Sequence, residues 1–496
     1  TMNNATSAWI SRSVDRLRPA KGKAAAAKDK PKDGPGEEPQ PGEKPGRSTH
    51  ERLQATLRRG GEALSPRALR QLLAQLQDVL APRVSEIEGG RRAQAVATWY
   101  GQAEPAQRRD LWLLMGEQFV PDAARMKNAQ QRYQAALGTA DEPQAEAQLR
   151  RALNSPRTRL LQRFAAFPEG MRFLVDLRAE LLPHLKADQC LLPLEAELEQ
   201  LFSTWFDVAF LELRRLSWDS PASLIEKLIK YEAVHDIRSW ADLKNRLDSD
   251  RRCYGFFHPR LPNEPLIFVE VALTDEISDS ITPLLDESAA PSDIQRASTA
   301  IFYSISNTQA GLRGVSFGDS LIKHVVETLQ QEFPRLRHFA TLSPIPGFRA
   351  WLQKNCATQL ELLDAKRLAE LGRAVGFEPK GAKDLPAQVL AAADKALELA
   401  PRSALRQLLQ QWAARYLARE LQDGKPLDPV ARFHLGNGAR VERLNWAADP
   451  SAKGLKQSFG LMVNYLYDLK RIDKHRDLLA QAKVPVSGDI EDLCRP

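Results

Sequence analysis

A glycine-punctuated loop is the part of the sequence best suited to bind an anion. Residues 300–333 read AIFYSISNTQAGLRGVSFGDSLIKHVVETLQQEF, where a strand-like run gives way to Gly311, Gly314 and Gly318 and a helix is predicted from about Asp319. Glycines let backbone amides approach a ligand closely, and a helix N-terminus directs partial positive charge at it. The spacing is neither GxGxxG nor GxxxxGK[ST], which argues against a dinucleotide site or a P-loop. We expect a phosphate-bearing ligand here, with a plain glycine-rich turn as the open alternative.

A lone hydroxyl follows the next strand-like run, RHFATLSPIPGF. Ser343 stands where Pro344 and Pro346 stop the strand, because proline cannot donate the next ladder hydrogen bond. We therefore expect this hydroxyl at the end of the strand, although a serine before a proline is also a common turn former. His434, in ARFHLGNGA, is predicted to lie among short strands, where a histidine is more often structural than catalytic. His258, in FFHP, is kept as a reserve candidate.

The first half of the chain is predicted to be a scaffold for these residues. Between 50 and 215 apolar residues recur at helical spacing, as in SPRALRQLLAQLQDVL and GMRFLVDLRAELLPHL, and prolines fall near the helix ends. This pattern indicates an antiparallel helical bundle for oligomerisation or support. Residues 1–49 are rich in proline, glycine and charge, which favours a disordered tail over a transit peptide.

The second half of the chain, from 216 to 496, is predicted to be an α+β domain. RRCYGFFHP, PLIFVEVALT and ASTAIFYSISNT are aromatic and β-branched runs of strand length, each bounded by strand breakers. Strong helical patterns return between about 357 and 425 and indicate a helical insertion or lid. The expected fold class is therefore a helix-rich α+β protein, with an all-α bundle followed by an α/β catalytic domain.

Composition and charge exclude several classes of function. The 70 basic and 63 acidic residues are interspersed, so the net charge of +7 forms no nucleic-acid patch. The cysteines lie far apart without metal-ligand spacing, and no apolar run is long enough to cross a bilayer. The chain ends in DLCRP rather than SKL. We expect a cytoplasmic protein with neither a metal nor a membrane or nucleic-acid partner.

The glycine loop resembles that of a known superfamily. RGVSFGDSLI is similar to the RGxGxG loop of the acyl-CoA N-acetyltransferase superfamily (GNAT), which holds the coenzyme A pyrophosphate on backbone amides. Ser316 departs from this pattern, since a second glycine is usual there. The resemblance implies that the strands flanking the following helix splay apart to admit the acyl and pantetheine groups, with Ser343 at the splay.

Longer motifs resemble one family within that fold. FYSISNTQAGLRGV, TLSPIPGF, FHLGNGA and RLNWAAD, with GLMVNY downstream, resemble malonyl-CoA decarboxylases, and the likeness runs from FLVDLRAELL to about residue 468. It implies a helical N-terminal domain, a GNAT-like catalytic domain, a homo-oligomer and conversion of malonyl-CoA to acetyl-CoA and CO2. It also implies that Ser343 and His434 are the catalytic pair.

The same resemblance implies a set of residues that bind the substrate. Backbone amides between Gln309 and Gly318 would hold the pyrophosphate and Arg313 would add charge, although an exposed arginine without a role fits as well. Asn437 would orient His434, but NG is itself a turn signal. The full set is Gln309, Gly311, Arg313, Gly314, Val315, Ser316, Gly318 and Asn437.

The chemistry of a malonyl thioester sets what these residues must do. The thioester carbonyl accepts the electrons left behind by CO2, so no metal or other cofactor is expected, and a donor must await the enolate oxygen. We expect His434 to polarise that oxygen or orient the carboxylate, and Ser343 to bind the malonyl group and deliver or relay a proton. An acyl-CoA-dependent N-acyltransferase and a non-catalytic acyl-CoA sensor are the alternatives, since fold does not fix function.

Overall fold

The computed structural model describes residues 63–315, 317, 321–376 and 385–495. The predicted tail of residues 1–49 lies outside the described residues, as do Ser316, Gly318 and Asp319.

Helices make up the first part of the described chain. Serine and proline set their starts: Ser65 accepts a hydrogen bond from the backbone of Ala68 while Pro66 occupies the first helical turn, and Ser155 caps a later helix in the same way. Apolar residues, many of them leucines, are buried along one face of most of these helices. These helices, α1 to α8, are Pro66–Val79, Glu86–Gln102, Pro105–Gln118, Ala123–Ala136, Glu142–Leu153, Pro156–Ala166, Gly170–Leu181 and Leu192–Trp205.

An eight-stranded mixed sheet follows the helices, in the order β1-β2-β3-β4-β5-β10-β6 with β9 beside β10. Neighbouring strands are antiparallel except β4 and β5, which are parallel. A separate two-stranded hairpin is formed by β7 and β8. The strands β1 to β10 are Glu212–Leu216, Arg251–His258, Leu261–Thr274, Thr299–Asn307, His338–Thr341, Ser343–Pro344, Leu421–Gln422, Lys425–Pro426, Arg440–Asn445 and Met462–Leu466.

The two parallel strands separate at a defined point. Residues 299–302 of β4 pair with 338–341 of β5, and the Leu342 amide donates to the Phe302 carbonyl at 3.0 Å. Beyond this point β4 stays with β3 as far as Asn307, whereas Ser343 turns to pair with Val463 of β10. A register shift in the β3–β4 pairing at Glu270 accompanies the separation. The expected splay is therefore present, and a cleft opens between β4 and β6.

Further helices cover the sheet. The helix after the glycine loop, α12, carries Leu321, Val325 and Leu329 on its buried face, at the spacing that the sequence indicates. Helices α9 to α12 are Ala222–Tyr231, Trp240–Arg246, Thr282–Leu285 and Leu321–Glu332.

The predicted helical insertion begins earlier than expected. Its first helix starts at Phe348, directly after Gly347 of the LSPIPG segment, rather than near residue 357. The predicted segment also includes residues 377–384, which lie outside the described chain. The helices α13 to α16 are Phe348–Glu361, Ala365–Ala374, Leu385–Ala393 and Ala404–Arg419.

The prediction that His434 lies among short strands is wrong. Residues Pro429–Gly436 form a helix, α17, which Asp428 begins by accepting hydrogen bonds from the amides of Val430 and Ala431. The sequence DPV carries this signal, an acidic N-cap followed by proline, which outweighs the strand-like look of ARFHL. Strand β9 begins only after Gly438. The remaining helices, α18 to α20, are Ala452–Ser458, Ile472–Ala480 and Gly488–Cys494.

One hydrophobic core joins the first helices to the sheet. Leu174 and Leu177 of α7 belong to the same buried cluster as Phe302 of β4 and Leu312 after it. The predicted fold class, a helical N-terminal region followed by a GNAT-like domain with a mixed sheet, is confirmed. The predicted domain boundary at residue 215 stays a prediction. Among the described residues no helix is both long and apolar enough to cross a membrane.

Candidate active site

A cavity of about 220 Å³ occupies the cleft between β4 and β6. Helix α17 forms the third wall through Val430, Phe433 and His434, and the exposed Asn307 and Pro429 line the rim, where the cavity opens to solvent. Its walls are largely apolar. The complete lining is Val234, Phe302, Tyr303, Ser304, Ile305, Asn307, Ser343, Pro344, Pro429, Val430, Phe433 and His434.

The structure brings Ser343 and His434 together in this cavity. Ser343 Oγ lies 3.2 Å from His434 Nε2, and both residues are about 95% buried, with 5% and 4% of their surface exposed. Ser343 also donates to Thr341 Oγ1 at 2.8 Å, and that oxygen accepts the Tyr465 amide at 3.1 Å. The splay positions the Ser343 hydroxyl, and helix α17 positions the His434 imidazole against it across the cleft.

Tyr467 holds the other side of the histidine ring. Its hydroxyl lies 2.8 Å from His434 Nδ1, while the ring of Tyr465 stacks on the imidazole with centroids 4.7 Å apart. No motif in the sequence singles out Tyr467. Its only local signal is the alternation of tyrosines in NYLYD at the end of β10, and nothing in that pattern indicates a partner 33 residues away.

Burial sets the protonation of this pair. Loss of hydration lowers the pKa of His434 to about 3 and raises the pKa of Tyr467 well above its usual value. Both groups are therefore neutral at pH 7, and the Tyr467 hydroxyl has a proton to donate. In the tautomer in which Tyr467 donates to Nδ1, the histidine proton lies on Nε2, where it faces Ser343 and the cavity.

A buried carboxylate lies behind the β4 wall. Ser304, which lines the cavity, donates to both carboxylate oxygens of Glu232 at 2.7 and 2.8 Å. Glu232 also accepts the backbone amides of Val234 and His235, so its position is closely defined. Neither Ser304 nor Glu232 was a predicted site residue, because YSISNT reads as an ordinary strand and Glu232 as part of a helix.

Asp428 ties the histidine helix to the serine segment. One carboxylate oxygen caps α17, and the other accepts the Gly347 amide and the Tyr416 hydroxyl, each at 3.3 Å. A Cβ at Gly347 would come within 2.1 Å of the Tyr416 hydroxyl, so only glycine allows this close approach. The two halves of the site are therefore joined through one buried side chain.

The predicted pyrophosphate loop follows directly from the rim residue Asn307. Gln309 is buried and bonded to the Pro265 carbonyl, whereas Arg313 is exposed. Gly314 is exposed and has a left-handed backbone with φ of 82°, which glycine adopts without strain. Gly311 and Val315 are buried; Ser316 and Gly318 are predicted site residues that lie outside the described chain.

Asn437 and His258 lie outside the cavity lining. Asn437 ends α17 and donates from its side chain to the Phe433 carbonyl at 2.9 Å, which is the turn-forming alternative of the sequence analysis rather than a contact with His434. His258 accepts the Arg260 amide at the end of β2 and packs edge-on against Phe206. Among the described residues, no group of three or more His, Cys, Asp or Glu is placed to hold a metal.

The fold and the cleft define an enzyme domain of GNAT-like architecture, in which splayed parallel strands enclose a buried serine and histidine. Residues 209–496 match the malonyl-CoA decarboxylase C-terminal domain, and residues 119–206 match the malonyl-CoA decarboxylase N-terminal domain. The chain belongs to the malonyl-CoA decarboxylase family, which makes it a carboxy-lyase.

Known proteins resemble the chain over most of its length. It is 39% identical over 409 residues to the mitochondrial malonyl-CoA decarboxylase of Rattus norvegicus, covering 77% of this chain and 80% of the rat protein. The crystal structure of malonyl-CoA decarboxylase from Rhodopseudomonas palustris has a TM-score of 0.73 at 39% identity, covering 86% of this chain and 99% of that one. The structure from Cupriavidus metallidurans has a TM-score of 0.70 at 44% identity, covering 86% and 100%.

Proposed function

We propose that this protein converts malonyl-CoA to acetyl-CoA and CO2 in the cleft between β4 and β6. The observation that carries the proposal is the contact between Ser343 and His434 inside a small, largely apolar cavity at the splay. The mitochondrial relatives in rat and in Anser anser anser carry the name malonyl-CoA decarboxylase, and the goose protein is 36% identical over 398 residues.

His434 is the donor to the thioester oxygen. When the C2–carboxylate bond breaks, its electron pair forms the C1–C2 double bond of an enolate and negative charge develops on the thioester oxygen. An Nε2–H group facing the cavity stabilises that charge, and burial of the donor strengthens the interaction. Because the ring is neutral, it donates a hydrogen bond without first having to gain a proton.

The apolar walls favour loss of the carboxylate. A carboxylate among Phe302, Pro344 and Phe433 gives up much of its hydration, whereas the departing CO2 is neutral and needs little. The enolate left behind keeps its charge on an oxygen that has a donor. The cavity therefore destabilises the ground state more than it destabilises the transition state.

Ser343 supplies the proton that replaces CO2. Decarboxylation consumes one proton at C2, and the Ser343 hydroxyl is the group with a transferable proton that lies beside both His434 and the cavity. Its hydrogen bond to Thr341 fixes the position of the hydroxyl before the enolate forms. The serine recovers its proton from solvent through the open rim.

The same geometry disfavours thioester hydrolysis. A serine nucleophile needs a neighbouring base that accepts its proton. With Tyr467 donating to Nδ1, the nitrogen that faces Ser343 already carries a proton and cannot act as that base. The protein is therefore expected to release acetyl-CoA rather than free CoA.

The proposal extends to the remaining substrate contacts and to the partners of the protein. The loop from Gln309 to Gly318 holds the coenzyme A pyrophosphate on backbone amides, and the exposed Arg313 adds positive charge. The thioester is the electron sink, so turnover needs no metal or other cofactor. A homo-oligomer built through the helical region and a cytoplasmic location complete the proposal.

The stoichiometry of turnover tests this function. Malonyl-CoA is incubated with the full chain in the presence of EDTA, and CO2, acetyl-CoA and free CoA are quantified together. The proposal predicts equal amounts of CO2 and acetyl-CoA with little free CoA. Free CoA without CO2 would indicate a thioesterase, and acylation of an added amine would indicate an acyltransferase; either result would overturn the proposal.

A further inference from the structure

The glycine loop is anchored to the N-terminal helices rather than to the sheet alone. Arg178 of α7, with 2% of its side chain exposed, donates from Nη1 to the carbonyls of Gly311 at 2.6 Å and Arg313 at 3.0 Å. Its Nη2 forms an ion pair with Glu195 of α8 at 2.6 Å. One guanidinium therefore connects helices α7 and α8 with two backbone carbonyls of the loop.

Other contacts from the same helix face support this anchor. Arg172, Val175 and Arg178 are spaced three residues apart on α7 and therefore share one side of the helix. Arg172 donates to the Gln309 side chain at 2.6 Å. A Cβ at Gly311 would lie 1.9 Å from the Val175 carbonyl, so the loop touches the helix backbone itself.

The far end of the loop is held from the same part of the chain. The Val208 amide, a few residues after α8, donates to the Phe317 carbonyl at 2.9 Å. The carbonyls of Gly311, Arg313 and Phe317 are thus all engaged by residues that precede the sheet.

Holding a carbonyl also orients the next amide. In a planar trans peptide the C=O and the following N–H point in opposite directions. Because the Arg313 carbonyl points at Arg178, the Gly314 amide points away from that guanidinium, and Arg313 and Gly314 are both exposed. An amide presented to solvent from a loop of this kind is available to a phosphate oxygen.

We propose that Arg178 is a positioning residue for binding of the coenzyme A diphosphate. It makes no contact with the substrate; it fixes the loop so that the Gly314 amide meets a phosphate oxygen, and the helical region thereby contributes to substrate affinity. The inference rests on the proposed function only in taking coenzyme A as the ligand of the loop.

The test compares two substrates that differ in the 3′-phosphoadenosine diphosphate group of coenzyme A. Malonyl-CoA carries it, whereas malonyl-pantetheine offers the same reacting group without it. The variant is Arg178→Met combined with Glu195→Gln, which removes the guanidinium without leaving an unpaired buried carboxylate. We expect KM for malonyl-CoA to rise about tenfold, as for one lost charge-assisted hydrogen bond, with kcat and the values for malonyl-pantetheine nearly unchanged.

Arg157 provides a matched control. It is also a buried arginine of the helical region, with 3% of its side chain exposed, and it pairs with Glu197 and donates to the carbonyls of Met115 and Pro193. These partners all lie outside the loop. Arg157→Met with Glu197→Gln should cost comparable stability and leave the ratio of the two KM values unchanged.

Binding measurements separate this proposal from the proposed activity. The affinities of the wild type and both variants for acetyl-CoA and acetyl-pantetheine are measured by calorimetry, which needs no turnover. A tenfold loss for acetyl-CoA alone, confined to the Arg178 variant, supports the proposal even if malonyl-CoA is not decarboxylated. Equal losses for both ligands, equal effects of both variants, or a wild type that does not distinguish the ligands would overturn it.

Discussion

Removal of a single hydroxyl, by Tyr467→Phe, tests whether Tyr467 fixes the tautomer of His434 that the proposed mechanism requires. The hydroxyl lies 2.8 Å from His434 Nδ1, to which the proposed mechanism has it donate, and the tyrosine is 3% exposed, so water does not readily replace it. The change leaves Nδ1 without its donor in the reactive tautomer, at a cost of about 1–2 kcal/mol for a buried acceptor. The alternative tautomer, with its proton on Nδ1, presents no donor to the thioester oxygen.

This cost should appear in kcat. A tautomer made less favourable by about 1–2 kcal/mol lowers kcat by about five- to thirtyfold, since about 1.4 kcal/mol corresponds to a factor of ten. KM should change little because Tyr467 is not part of the cavity lining. The ¹⁵N resonances of His434 should report the shift directly, with the proton on Nε2 in the wild type and a mixture in the variant.

Tyr465→Phe is the matched control for this experiment. Tyr465 packs against the same imidazole, but its buried hydroxyl has no hydrogen-bond partner among the described residues. Its removal should leave kcat and the histidine tautomer unchanged. An unaltered kcat in Tyr467→Phe, or an equal loss in both variants, would refute the reasoning that Tyr467 sets the tautomer.

Three further predictions concern pH, the cap and the loop. Because burial lowers the pKa of His434 to about 3, the unfolded chain binds a proton that the folded chain does not, so the free energy of unfolding should fall from about pH 6.5 towards pH 3. The free energy of unfolding is measured by denaturant titration at several pH values for the wild type and His434→Gln. Between these pH values its slope against pH should differ between the two proteins by the equivalent of up to one proton, and equal slopes would contradict this. Asp428→Ala leaves the amides of Val430, Ala431 and Gly347 without their acceptor, so it should destabilise the protein by about 1–3 kcal/mol and lower kcat. An unchanged denaturation midpoint would contradict the role of Asp428 in joining α17 to the serine segment. Gly311→Ala forces the loop off the Val175 carbonyl and should raise KM more than it lowers kcat; Gly488→Ala, which meets nothing within 4 Å, is its control and should change neither.

Sequence patterns predicted the parts of the site that depend on neighbouring residues. The short strand that holds Ser343 does stop at Pro344, in keeping with the local effect of proline, although the strand paired with β4 already ends at Thr341 and Pro344 itself still pairs with Met462. The amphipathic pattern after the glycine loop does form a helix. His434 was singled out through its resemblance to a family motif, but its local structure was read wrongly as strand rather than helix.

The contacts that complete the site join residues far apart in the chain. Tyr467 is 33 residues from His434, and Arg178 is 133 residues from Gly311. Periodicity and turn signals describe a few residues at a time, so they do not indicate which distant side chain will satisfy a given buried group. Each of these partners is a polar group that is paired because folding buries it, and the local sequence does not show which groups will be buried together.

The most direct test of the central claim is the rate of CO2 release from malonyl-CoA by Ser343→Ala and His434→Gln, beside two matched controls. Ser458 and His475 are equally buried, but they bond to the Leu461 and Gly438 carbonyls away from the cavity, so Ser458→Ala and His475→Gln test for general damage. The account predicts that the first two variants lose at least about a hundredfold in kcat while still binding acetyl-CoA, and that the controls stay within a few-fold of the wild type. Near-normal CO2 release by either site variant would contradict the assignment of this serine and histidine to the chemistry.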